Sequence, residues 1–172
     1  AHGERVCLCH KLRQAGSKVS VKLNEAGKAF LSGVQTCGSV WHCPICAAKI
    51  TERRRGELSQ LADFVKDGGG QLLMLTLTVP HGKHDDLKQL LEQLAAARRY
   101  LLSGKNALRY VIPEFLGSVT ALETTHGANG YHPHLHMLIA IGSDVVDSNN
   151  RIDIQSAIFR RWATATKRAG LG

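Results

Sequence analysis

In the run HPHLHMLI, residues 132–139, three histidines fall on alternate positions and lead into an apolar stretch. Successive side chains of a β-strand point to opposite faces, so His132, His134 and His136 would project from one face and Leu135, Met137 and Ile139 from the other. That pattern is a row of metal ligands backed by a core. A second set of candidates comes earlier: Cys7, Cys9, Cys37, Cys43 and Cys46. Cys43-Pro-Ile-Cys46 has the C-x-x-C spacing that lets two thiolates reach one tetrahedral zinc, and Cys37 precedes it. A fourth ligand must come from Cys7, Cys9, His10 or His42. Cys9 is favoured, because it would pin the start of an intervening hairpin to its end. The odd number of cysteines and the C-x-x-C pair fit a zinc site in a reducing compartment better than a disulfide framework, which places the protein in the cytoplasm. The zinc would fold a region too small for a core of its own.

These residues need elements to position them. SKVSVKLNEAGKAFLSG alternates apolar and polar residues about an Asn-Glu-Ala-Gly turn, which predicts a hairpin with strands at residues 19–23 and 28–31. Good helix formers follow over residues 47–66 and end at Gly68-Gly69-Gly70. QLLMLTLTV reads as a buried strand closed by Pro80. Leu87, Leu90, Leu91, Leu94 and Ala97 recur at helical spacing, with acids at the start of the helix and arginines near its end. Residues 104–116 carry no clear pattern, and Pro113 limits any helix there. Two strands joined at Asn129-Gly130 follow, then a helix over residues 153–168 with Ile158, Phe159 and Trp162 on one face. This order predicts an α+β fold, an antiparallel sheet with helices on one face. It is preceded by a zinc-stabilised hairpin region at residues 1–50, leaving 51–172 as the main domain.

The hairpin supplies a third ligand for the histidine row. With Asn129-Gly130 at the centre of a type I′ turn, Thr125 faces His134 and Glu123 faces His136. With the turn one step earlier, at residues 127–130, Glu123 faces His134 on the same side of the sheet. Cross-strand Cβ atoms are only about 4.5–5.5 Å apart, so a carboxylate and two imidazoles can share one ion in either register. His126 has the opposite parity and points away. Glu123, His134 and His136 are therefore the proposed metal set. It leaves coordination positions open for water and substrate oxygens, as a catalytic cation requires. His132, nearest the turn, is either a substrate contact or simply exposed.

Lys and Arg outnumber Asp and Glu by 22 to 14, a net charge of +8 that favours an anionic partner such as nucleic acid. Aromatic residues are 5% of the chain, which argues against a platform of many stacking rings. No membrane span or signal peptide is visible. Basic clusters at Arg53-Arg54-Arg55, at Arg98-Arg99 and at Arg160-Arg161 with Lys167-Arg168 fall on three separate helices. Each alone is a solvated face, and together they supply candidate phosphate contacts.

HPHLHMLI preceded by ALET, LLMLTLTVPHG upstream of both and CGSVWHCPICAAKI ahead of those together resemble the plasmid rolling-circle replication initiators of the HUH endonuclease superfamily. The likeness runs over residues 37–170 in the family's order. The strand at residues 72–79 resembles the family's first motif, His134-Leu135-His136 its HUH motif, and Cys37, Cys43 and Cys46 the cysteines preceding the domain in the zinc-containing branch. The resemblance implies a ferredoxin-like sheet that binds single-stranded or hairpin origin DNA and holds Mg²⁺ or Mn²⁺ through the two histidines and a further polar ligand. It implies attack by a tyrosine to give a 5′-phosphotyrosyl link and a free 3′ hydroxyl, with helicase and polymerase as bacterial partners. Arg53, Arg54, Arg55, Arg98, Arg99, His81 and His132 are the DNA-contact candidates. His81 has a plain loop histidine as its alternative.

The sequence departs from that pattern in one place. The family's tyrosine lies on a helix beyond the one that follows HUH, and the helix at 153–168 contains none, so the chain is expected to stop short of its nucleophile and be inactive alone. Tyr131 flanks a turn, and Tyr100 and Tyr110 read as packing residues or phosphate contacts. Two rivals remain. One is a two-histidine, one-carboxylate iron oxygenase or cupin-like enzyme, against which the helical content argues. The other is a zinc-stabilised DNA-binding module without chemistry.

Overall fold

The computed structural model describes residues 4–105, 107–142 and 151–171. Its contacts divide the chain into two units, Ala1–Leu61 and Ala62–Gly172. In the first, β1 (Ser20–Leu23) and β2 (Ala29–Ser32) form the expected antiparallel hairpin, with Val21 facing Leu31. Its turn is closed by the Asn24 side chain, which accepts from Lys28 N–H at 2.8 Å, and by Gly27 at φ 73°. Below the strands the two arms stay together through Gln14 N–H to Gly33 O and His10 N–H to Gln35 O, both 2.8 Å. These pairs bring Cys9 and Cys37 to the same end of the hairpin.

Helix α1 (Pro44–Asp67) begins three residues earlier than periodicity suggests. Pro44 occupies the first helical position, where its fixed φ suits the helix and its missing N–H costs nothing. The C-x-x-C pair is thereby wound into the first turn. The unit boundary falls within this helix.

The second unit is a three-stranded antiparallel sheet with helices on one face, in keeping with the α+β expectation. Its strands are β3 (Gln71–Leu77), β4 (Phe115–Gly127) and β5 (Gly130–Ile141), in the order β3-β5-β4. Residues Leu135, Met137, Ile139 and Ile141 of β5 are buried against α2 (Leu87–Leu102) and α3 (Arg151–Arg168), through Leu90, Leu94, Leu101, Ile158 and Trp162. Asp86 caps α2, its side chain accepting from Gln89 N–H at 2.9 Å. Trp162 Nε1–H donates to Thr78 O at 2.6 Å and ties α3 to the end of β3. The segment without a clear pattern makes a 3-10 turn at Leu108–Tyr110 before β4 begins.

The β4–β5 hairpin takes the earlier of the two registers: Gly127 faces Gly130, and Glu123 faces His134 rather than His136. A type I′ turn would need positive φ at Asn129, but in this turn only Gly130, at φ 86°, adopts it. A right-handed turn followed by a left-handed glycine satisfies the same Asn-Gly pair. The parity of the strand is unchanged, so the histidines keep their face.

Candidate metal centres and their surroundings

The four sulfurs of Cys9, Cys37, Cys43 and Cys46 converge at the base of the first hairpin. Cys9 Sγ lies 3.5 Å from Cys46 and 3.6 Å from Cys43, and Cys37 Sγ lies 3.7 Å from Cys46. Thiolates on a tetrahedral zinc, each at about 2.3 Å, stand roughly 3.8 Å from one another, so the set has the dimensions of such a site. Of the candidates for the fourth position, Cys9 is the one at the cluster. Cys7 is exposed, His42 Nδ1 is 3.4 Å from Ser39 Oγ, and His10 Nε2 is 3.5 Å from Lys49 Nζ. Main-chain amides converge on the sulfurs: Cys37 N–H donates to Cys9 and Ser39 N–H to Cys37, each at 3.4 Å. The Gly38 amide outweighs burial at Cys46, and with the neighbouring thiols lowers its pKa to about 7. At Cys9 the Cys37 amide acts in the same direction but is overcome by burial and by the other three sulfurs, which push the thiol up to about 12. Zinc binding would displace the thiol protons.

In the second unit, Glu123, His134 and His136 offer ligand atoms that lie within 4.8 Å of one another. Glu123 Oε2 is 3.1 Å from His136 Nε2 and 3.5 Å from His134 Nε2. His134 Nδ1 lies 3.2 Å from His132 O. A carbonyl only accepts, so in this bond Nδ1 carries the proton. Nε2, on the other side of the ring, faces a carboxylate oxygen. This donor set of two imidazoles and a carboxylate suits a divalent ion. His134 is largely buried, whereas His136 and Glu123 are part-exposed, so the open side of the set faces solvent.

His132 does not join this set. Its ring stacks on His81, with centroids 4.6 Å apart and planes inclined by 12°. Burial first, then His81 and His134, hold the His132 pKa below the usual histidine value, so the ring is neutral near pH 7. His81 is brought there by the loop after β3. That loop packs so closely on the hairpin turn that a Cβ on Gly130 would sit 2.9 Å from Gly82 O. The stack depends on the path of this loop, and no spacing in the sequence announces it. A second contact that sequence reasoning missed is Thr76 Oγ1, 3.2 Å from His136 Nδ1. The reading of residues 71–79 as a buried strand gave Thr76 no exposed face, whereas the structure exposes it beside β5, paired with His136.

The basic clusters are divided between the two units. In the first unit, Arg53 pairs with Glu57 and Arg55 with Glu52, both at 2.8 Å and well exposed, while Arg54 is exposed on the same helix. Arg98 and Arg99 are exposed on α2, which packs on the sheet face opposite the histidines. The tyrosines also stand apart from the metal set. Tyr131 lies against His126, centroids 4.7 Å apart, on the other side of β5. Tyr110 carries the Arg109 guanidinium 4.9 Å from its ring centre in the 3-10 turn, and Tyr100 lies on α2.

A three-stranded antiparallel sheet with a histidine pair and a carboxylate on one face, helices on the other and a four-cysteine cluster ahead of it is the architecture expected from the motif resemblance. The chain belongs to the Rep_1 replication protein family, which residues 28–169 match. Among curated relatives, "Protein rep" of Streptomyces lividans is 30% identical over 155 residues, covering 73% of this chain and 34% of the relative. A neomycin resistance protein of Streptomyces cyanogenus is 26% identical over 68% of this chain and 33% of its own length. "Protein rep" of Lentilactobacillus hilgardii is 26% identical over 92% of this chain and 50% of its own length. The chain thus spans a third to a half of these relatives. No solved structure matches it significantly. Among the described residues, no helix is long and apolar enough to cross a membrane.

Proposed function

We propose that this chain carries the cation site and DNA surface of a replication initiator, one that nicks and rejoins single-stranded or hairpin origin DNA. The observation that carries the reading is the convergence of Glu123 Oε2 with His134 Nε2 and His136 Nε2, at 3.5 and 3.1 Å, on one open face of the sheet. Mg²⁺ or Mn²⁺ held there would withdraw charge from the scissile phosphate. His134 and His136 would hold a cation through their Nε2 atoms, Glu123 would balance its charge, and the stacked His81–His132 pair would border the site as a contact for the nucleotide. In the reaction a tyrosine hydroxyl attacks phosphorus, the bond to the 3′ oxygen breaks, and that oxygen leaves as a hydroxyl that a polymerase extends. A helicase would open the duplex ahead of it. The cysteine cluster is read as a structural zinc site.

Tyr131 lies on the other side of β5 and Tyr100 on the helix behind the sheet, which supports a nucleophile supplied by a tyrosine outside these 172 residues. The chain alone then binds cation and DNA without forming a covalent link. The test uses a polypeptide that contains these residues together with a downstream tyrosine, a labelled oligonucleotide of its origin and Mn²⁺. Site-specific nicking that His136→Ala abolishes is the expected result. Nicking that proceeds unchanged in the variant, or in excess chelator, would overturn the reading. The rival of a binding module without chemistry predicts DNA binding but no nick under every condition.

A further inference from the structure

The two ligand histidines are oriented by different means. His134 Nδ1 is fixed by the main-chain carbonyl of His132, a partner that any sequence would supply. His136 Nδ1 has instead a side chain within reach, Thr76 Oγ1 at 3.2 Å, presented by the neighbouring strand at the position that pairs with His136 itself. On its other flank the partner is Ala121, which offers no polar side chain. We infer that Thr76 is a positioning residue: its hydroxyl bonds Nδ1 of His136 and, with a cation on Nε2 in place of the Glu123 hydrogen bond, accepts the Nδ1 proton and holds the ring in that orientation. This rests on the reading that Glu123, His134 and His136 hold a divalent ion.

An imidazole has two tautomers and can turn about its side-chain bonds. For a half-exposed ring such as His136, neither choice is made by packing alone. A β-branched threonine on a strand has few side-chain rotamers, so its hydroxyl is held where it is needed. The bond links β3 to the site through one atom pair. It also gives the polar, outward-facing position in LLMLTLTV a task, in a strand whose other face, Leu73, Leu75 and Leu77, serves the core. Partners of this kind typically change metal affinity by about 10–100-fold when removed.

The test compares the chain as it stands with Thr76→Val, Thr76→Ser and His136→Ala, with circular dichroism verifying that each is folded. Mn²⁺ affinity is read by electron paramagnetic resonance. The imidazole N–H resonances of the Mg²⁺-loaded proteins are read by NMR. Thr76→Val should bind Mn²⁺ about tenfold more weakly and lose the protected Nδ1–H signal of His136, and Thr76→Ser should restore both. If Thr76→Val binds as tightly as the parent while His136→Ala does not, the role of Thr76 is overturned and the cation site stands. If His136→Ala also binds as tightly as the parent, the cation reading fails, and this inference with it.

Discussion

Glu123 Oε2 and His134 Nε2 stand 3.5 Å apart, while Nδ1 of the same ring faces the carbonyl oxygen of His132 at 3.2 Å. A divalent cation between the two would take one ligand from each. Glu123→Ala should therefore weaken Mn²⁺ binding at least tenfold in calorimetric titration. Glu123→Gln, which keeps the shape and removes the charge, should recover little of it. Equal affinity in all three proteins would exclude Glu123 as a ligand.

The cysteine cluster makes a sharper prediction, because the sulfurs of Cys9 and Cys7 are so differently placed. Cys7→Ser should retain one tightly held zinc per chain by atomic absorption. Cys9→Ser should lose it and, with it, the protection of the first hairpin in amide exchange. Zinc retained at full stoichiometry in Cys9→Ser would return His10 or His42 to consideration.

Gly130 and Gly127 close the same turn but differ in what surrounds them. A Cβ on Gly130 would meet Gly82 O at 2.9 Å on a backbone at φ 86°, whereas one on Gly127 meets nothing within 4 Å. Thermal unfolding should show Gly130→Ala destabilised by roughly 1–3 kcal/mol. Gly127→Ala should lie within about 0.5 kcal/mol of the parent. Similar losses in both would mean that the loop does not brace the turn.

If the chain holds DNA through phosphate contacts, its affinity for a single-stranded oligonucleotide should fall steeply with salt, linearly in a double-logarithmic plot. Arg98→Ala with Arg99→Ala should flatten that slope by about two if both arginines touch phosphates, and leave Mn²⁺ affinity unchanged, since α2 lies behind the sheet. A slope near zero in the parent would remove the electrostatic basis of the proposal.

Much of this arrangement was legible because it depends on short-range periodicity. A period of two puts His134 and His136 on one face whatever the rest of the chain does, and the same period put Glu123 on the facing side in both registers. The register itself was ambiguous, since Asn129-Gly130 suits two turns that differ only in which residue takes a positive φ. The cysteines were readable from spacing as far as three ligands, and the fourth from the logic of a closed hairpin. Thr76 and the His81–His132 stack were not readable. Both arise from the choice of neighbouring strand and the route of a loop, which follow from long-range packing. The early start of α1 was signalled by Pro44, whose preference for a first helical turn outweighs the weaker periodicity of the residues around it.

All three ligands of the cation set rise from the same side of one sheet, and within that unit the helices are stacked on the other side. Among the described residues of that unit, such a site has the sheet as its floor and turns its open side to solvent. A polymer of any length can be laid across it from the side and lifted off again, with no free end to be threaded.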